Sequence, residues 1–113
     1  MIIDKSKAEH YNWGEGCDGW HLLKNENLSI IQERVPPGKQ EKRHFHTKSR
    51  QFFYILRGQA AIEMDETIYQ LQTGQSIEIP PGLPHQFMNQ SSVEVEFLVI
   101  SSPKSHGDRT DLE

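Results

Sequence analysis

A single cysteine in 113 residues excludes an intrachain disulfide, so packing alone must hold this chain together. No apolar run approaches the ~18 residues of a membrane-spanning helix. The opening residues, Met1 to Lys7, carry charges where a secretory leader needs an apolar stretch. Neither charge sign dominates: 12 Lys and Arg against 16 Asp and Glu leave a net charge of -4, with a pI near 5.8. Such a balance offers no basic surface for nucleic acid and no cationic face for an acidic membrane. Repeats and low-complexity runs are missing as well. A cytoplasmic, soluble chain of one domain is expected, burying about two-thirds of its unfolded surface. Cys17 lies in the glycine-rich segment Gly14-Glu-Gly-Cys-Asp-Gly19 and is expected to be a free thiol.

Helix signals are nearly as scarce. Ser6 is placed to cap a short turn from Lys7 to Tyr11, which Gly14, Gly16 and Gly19 cut off. The rest reads as about eight strands, among them Trp20 to Leu23, Leu28 to Val35, Gln51 to Arg57 and Val93 to Ser101. Gln59 to Met64 and Thr67 to Leu71 form a hairpin across Asp65-Glu66. The strand from Gln51 is apolar on both faces. Phe53 and Ile55 follow Gln51 to one side, and Phe52, Tyr54 and Leu56 line the other. A strand of that kind must be covered twice, so a homodimer is expected, with the outward stripe as its contact.

Two segments carry chemistry. The first runs from Gly38 through His44, His46 and Gln51 to Gly58; the second holds Gly74, Pro80, Gly82, His85 and Asn89. Strand alternation puts His44 and His46 on one face with Phe45 on the other. Neutral imidazole is the commonest ligand for Zn, Fe, Ni and Cu. A second segment that brings in His85 would complete a site for one divalent transition ion (Zn, Fe, Mn, Ni or Cu), with Gln51 closing or bordering it.

The same residues carry a family resemblance. The pattern G-x5-H-x-H-x3,4-E-x6-G followed by G-x5-P-x-G-x2-H-x3-N resembles the paired motifs of the cupins. The match spans roughly Leu28 to Ser101, with fifteen residues, Gln59 to Thr73, between the motifs. It departs at one place, where Gln51 replaces the usual glutamate. The resemblance implies an all-β fold, the double-stranded β-helix or jelly-roll barrel. Residues 1–27 would then be an N-terminal segment with an edge strand, 28–101 the barrel, and 102–113 a polar tail, frayed or packed on a neighbour. It also implies His44, His46, Gln51 and His85 as the metal ligands, and a small-molecule ligand as the partner. The cavity wall is expected to be apolar, with Phe53 and Phe87 in phase with the ligands and Met88 at the rim.

The exchange of Glu for Gln narrows the chemistry. Three neutral imidazoles and an amide leave a divalent ion at +2 rather than +1. Hard cations such as Mg and Ca are disfavoured, and the carboxylate of a 2-His-1-carboxylate iron site is gone. An electron-poor ion suits Lewis-acid polarisation of a small polar or anionic metabolite, such as a sugar acid, by an isomerase or lyase. Some cupins that open a cyclic unsaturated uronate to a keto acid have this His-His-Gln-His set. A dioxygenase and a non-catalytic sensor are the alternatives. For the acid/base group, Arg34, Arg57 and Tyr69 are the residues left open, and His10, His21 and His106 are assigned no role.

Overall fold

The computed structural model describes residues 1–112. Eleven strands are formed: β1 (Glu9–Trp13), β2 (Cys17–Lys24), β3 (Ser29–Val35), β4 (His44–His46), β5 (Arg50–Arg57), β6 (Ala60–Met64), β7 (Thr67–Leu71), β8 (Ser76–Ile79), β9 (His85–Met88), β10 (Val95–Ser102) and β11 (Arg109–Asp111). There is no helix among the described residues. A six-stranded sheet in the order β1-β2-β3-β10-β5-β8 faces a five-stranded sheet in the order β11-β4-β9-β6-β7, and every pairing is antiparallel. This is the jelly-roll barrel that the motifs imply.

Alternation decides which side chains fill the barrel. On β5, Gln51, Phe53 and Ile55 are buried, while Phe52, Tyr54 and Leu56 stand outward. Their partners on β10 alternate in register, Val99 opposite Phe53 and Phe97 opposite Ile55. In the core, Phe53, Phe87 and Phe97 stack on one another, with the Phe87 and Phe97 centroids 4.1 Å apart. Phe97 is 1% exposed, so truncation removes contacts that nothing else can supply. Phe97→Ala should lower unfolding free energy by ~3–5 kcal/mol, read as a shifted urea midpoint. A loss below ~1 kcal/mol would mean that the stack is not what holds the two sheets.

The turns show why the register is fixed. Asp65 and Glu66 both take positive φ, 54° and 63°, the geometry of a two-residue hairpin whose twist matches its strands. Gly58 turns at φ 88°, and a Cβ there would stand 2.6 Å from the Glu94 carbonyl oxygen. Asn89 ties three carbonyls together, its Nδ2 donating to Val35, Pro36 and Val93. The thiol of Cys17, at the start of β2, is free and fully buried.

Both ends of the chain differ from the expectation. The helical turn over Lys7–Tyr11 is not formed. Ala8 and Lys7 donate to the Asp4 carbonyl in a single turn, and Glu9–Trp13 then pairs with β2 as an edge strand. One turn of weak propensity yields to a full ladder of strand bonds. Part of the tail joins the barrel's own sheet. Arg109–Asp111 pairs with β4, and Asp108 accepts from the amides of Thr47, Lys48 and Ser49. The exposed edge of the histidine-bearing strand is thereby closed.

Candidate metal centre

His44 and His46 project from β4 into the barrel, and β9 brings His85 directly opposite His44. Their ligating nitrogens all lie within 4.8 Å of one another, compatible with a shell of ~2.0–2.1 Å bonds. All three rings are buried, at 2%, 5% and 1% exposure. His44 Nδ1 lies 2.8 Å from the Lys42 carbonyl, and His85 Nδ1 lies 2.9 Å from the Leu83 carbonyl. A carbonyl can only accept, so each Nδ1 holds the proton and each Nε2 presents its lone pair. Burial depresses the ring pKa values, to about 3 for His44 and about 4 for His46, and lowers that of His85. At neutral pH the cluster is uncharged, as ligands must be.

Gln51 is buried on β5, in the other sheet. Its Nε2 donates to Ser101 Oγ at 3.1 Å, and Ser101 is its register partner on β10. That bond turns the amide oxygen the other way. Among the described residues, five buried side-chain polar atoms find no partner, and four belong to this group: His46 Nδ1 and Nε2, His85 Nε2 and Gln51 Oε1. Buried polar atoms are nearly always paired. Neutral donors left bare together fit a transition ion, to which His46 could give one ring nitrogen, His85 its Nε2 and Gln51 its Oε1. His44, His46 and Gln51 line one cavity of about 470 Å³.

The rest of that wall was not anticipated. Glu33 from β3, Glu41 from the loop before β4, Tyr11 from β1, and His106 and Arg109 from the tail all face the cavity. Tyr11 Oη donates to Glu33 Oε2 at 3.0 Å, and the Phe87 amide donates to Glu41 Oε1 at 3.1 Å. Arg109 reaches Asp111 at 2.6 Å and Glu41 at 3.8 Å. Burial pushes the Glu33 carboxyl up to about 7 and the Glu41 carboxyl up to about 8, against the opposing pull of Arg109. Two signals were available. Glu33 falls in phase with Ile31 and Val35, and Glu41 lies within the first motif.

The residues left open for acid/base work lie elsewhere. Arg34 pairs with Asp18 and Glu94 on the outer face, Arg57 pairs with Glu94 and Glu96, and Tyr69 is exposed on β7. Phe87 and Met88 are buried but do not line the cavity; Trp13, Ile31, Phe53 and Val99 give it its apolar wall.

Two facing antiparallel sheets with an inward imidazole cluster at a cavity define a jelly-roll barrel of the kind that hosts metal sites. The chain belongs to the cupins: the family model described as a cupin domain matches residues 31–101. An uncharacterised protein of Methanocaldococcus jannaschii is 32% identical over 94 residues, which cover 82% of this chain and 75% of that one. Two solved structures share the fold. A cupin-superfamily sugar phosphate isomerase of Silicibacter pomeroyi aligns with a TM-score of 0.78 at 20% identity, over 92% of this chain and 76% of that one. The polyketide cyclase RemF of Streptomyces resistomycificus aligns with a TM-score of 0.85 at 17% identity, over 100% and 85%.

Proposed function

We propose that the cavity is an active site in which His44, His46 and His85, with Gln51 beside them, hold one divalent transition ion. When bound, that ion supplies Lewis-acid polarisation of a ligand oxygen. The reaction is an isomerisation or lyase cleavage of a small polar or anionic metabolite such as a sugar acid. The observation that carries this reading is the set of three neutral side chains with unpartnered buried donor atoms, His46, His85 and Gln51, beside a cavity that also holds Arg109 and the half-buried carboxyls of Glu33 and Glu41. Arg109 gives an anionic ligand a cation to approach. The apolar side of the wall, Trp13, Ile31, Phe53 and Val99, lowers the local dielectric and strengthens the charges beside it. The absence of a carboxylate ligand argues for this reading over the dioxygenase. The cytoplasm is the compartment that suits the free thiol of Cys17.

The test is turnover by metal-loaded protein, without oxygen, across a panel of sugar acids and keto acids followed by NMR. Conversion that persists without oxygen and stops with a strong chelator supports the proposal. Strict dependence on O2 would transfer the site to the dioxygenase. Tight binding without any conversion would leave the sensor.

The homodimer belongs to the same proposal. On the outer face of the six-stranded sheet, Phe52, Ile100 and Ile30 align in one row, and Tyr54, Leu98, Gln32 and Trp20 in the next. A row of alternating charge, Arg57, Glu96, Arg34 and Asp18, borders them. Two copies meeting through this face would bury the apolar rows and set opposite charges against each other. Light scattering should give twice 13.1 kDa for the wild type. Phe52→Glu, which places a second carboxylate beside Glu78, should give the monomer. A wild-type mass of 13.1 kDa would rule the dimer out.

A further inference from the structure

Glu33 occupies a position where strand alternation asks for an apolar side chain. Ile31 and Val35, its neighbours in phase on β3, are 4% and 0% exposed. An inward carboxyl is costly unless something engages it. Its hydrogen-bond partner is Tyr11, whose hydroxyl donates to Oε2 at 3.0 Å, while Arg109 acts on it at longer range. The strand register explains how a tyrosine two strands away reaches it. Tyr11 on β1 is opposite Gly19 on β2, and Gly19 is opposite Glu33 on β3. A Cβ on Gly19 would stand 2.3–2.6 Å from Cζ, Cε1 and Oη of Tyr11. The phenol lies across the space that any side chain at position 19 would fill. Glycine inside a strand weakens it, so this seat exists at some expense to the sheet. Both members of the pair face the cavity that holds His44, His46 and Gln51. Glu41 is differently placed: its Oε1 takes the Phe87 amide, and the carboxylate faces His44 and Arg109.

We propose that Glu33 is the proton-transfer group of this cavity, with Tyr11 as its positioning residue, and that the substrate is an anionic metabolite carrying a C–H bond beside a carbonyl. This rests on the Lewis-acid reading of the site and goes beyond it by naming the group that moves the proton and the class of bond it acts on. Glu33 takes the proton from carbon. The C–H electron pair becomes the C=C of an enolate as the carbonyl π pair moves to its oxygen. Glu33 then returns the proton to another atom of the same ligand, so the step needs no oxidant and leaves no net charge. Tyr11, by holding Oε2, leaves Oε1 for the substrate. A carboxyl held up near neutrality by burial, between the Tyr11 hydroxyl, the Arg109 guanidinium and the neighbouring Glu41, matches the basicity that such a transfer needs.

The experiment places zinc-loaded protein in D2O with pyruvate, hydroxypyruvate and D-galacturonate, and follows loss of the C–H signal beside the carbonyl by proton NMR. Wild type should exchange, and Glu33→Gln should slow exchange by at least ~100-fold with zinc stoichiometry unchanged. Tyr11→Phe and Gly19→Ala should fall between. A second readout uses metal-free protein and the Glu33 side-chain carboxyl in a carbon-detected titration, assigned by its loss in Glu33→Gln. Its midpoint should rise in both Tyr11→Phe and Gly19→Ala, because a hydrogen bond that favours the ionised form has been removed. Exchange by Glu33→Gln at the wild-type rate would overturn the proton-transfer role alone and leave the Lewis-acid reading standing. A midpoint indifferent to both substitutions would also overturn it. Zinc-bound wild type inert toward all three probes would defeat the Lewis-acid reading, and the proton transfer with it.

Discussion

Metal content close to zero is the result expected for His46→Ala. The three imidazoles are the strong donors of the site, and two of them with a neutral amide leave an ion open to water on most sides. Removing only the outer hydrogen-bond partner of a metal ligand costs ~10–100-fold in affinity; removing the ligand should exceed that. His10 on β1, bonded to Asp18 at the surface, is the control: His10→Ala should keep its metal. Elemental analysis after dialysis and chelator competition read both variants, and full occupancy of His46→Ala would defeat the assignment.

The same cluster sets how stability depends on pH. Its folded pKa values lie below the unfolded value of ~6.5, about 3 for His44 and about 4 for His46. The unfolded chain therefore binds more protons as pH drops, and the histidine contribution, intact above ~6.5, is lost on acidification towards the folded values. Glu33 and Glu41 act in the opposite direction. Their folded pKa values, about 7 and about 8, lie above the unfolded range. Their contribution is present at low pH and lost as pH rises through those values. Melting temperature of the metal-free protein should peak near pH ~6.5 and fall on both sides. A curve still rising past pH ~8 would mean that the two carboxyls do not hold their protons more tightly in the folded chain.

Gln51→Glu is the second large effect. The side chains are nearly isosteric, and Ser101 Oγ, which accepts from the Gln51 amide, can turn to donate to a carboxylate. The substitution adds a negative charge beside a divalent ion. At coordination range with an effective ε near 20, the attraction is several kcal/mol before desolvation is subtracted. Chelator competition should show tighter metal binding. Anionic inhibitors should bind more weakly, because the site they meet has lost a unit of positive charge. Metal affinity equal to the parent's would show that Gln51 does not touch the ion.

The barrel and the histidine cluster were both legible in the amino-acid sequence. Those features are local: alternation along β5 assigns Phe53 and Ile55 inward, and the one-residue gap between His44 and His46 places both on one face. Spacing also limits what a motif can reveal. Nothing local says that Tyr11 lies one strand from Gly19 and two from Glu33, because those contacts depend on the order β1-β2-β3 and its register. The tail is a similar case. Its composition is polar, as disordered ends are, yet the free edge of β4 gives Arg109–Asp111 a ladder to join, and Arg109 enters the cavity only by that pairing. Only the assembled fold brings Glu33, Glu41 and Arg109 to one cavity wall. A buried carboxyl is tolerated only where several distant strands bring it a donor and shut out water together, and no stretch of chain holds that arrangement alone.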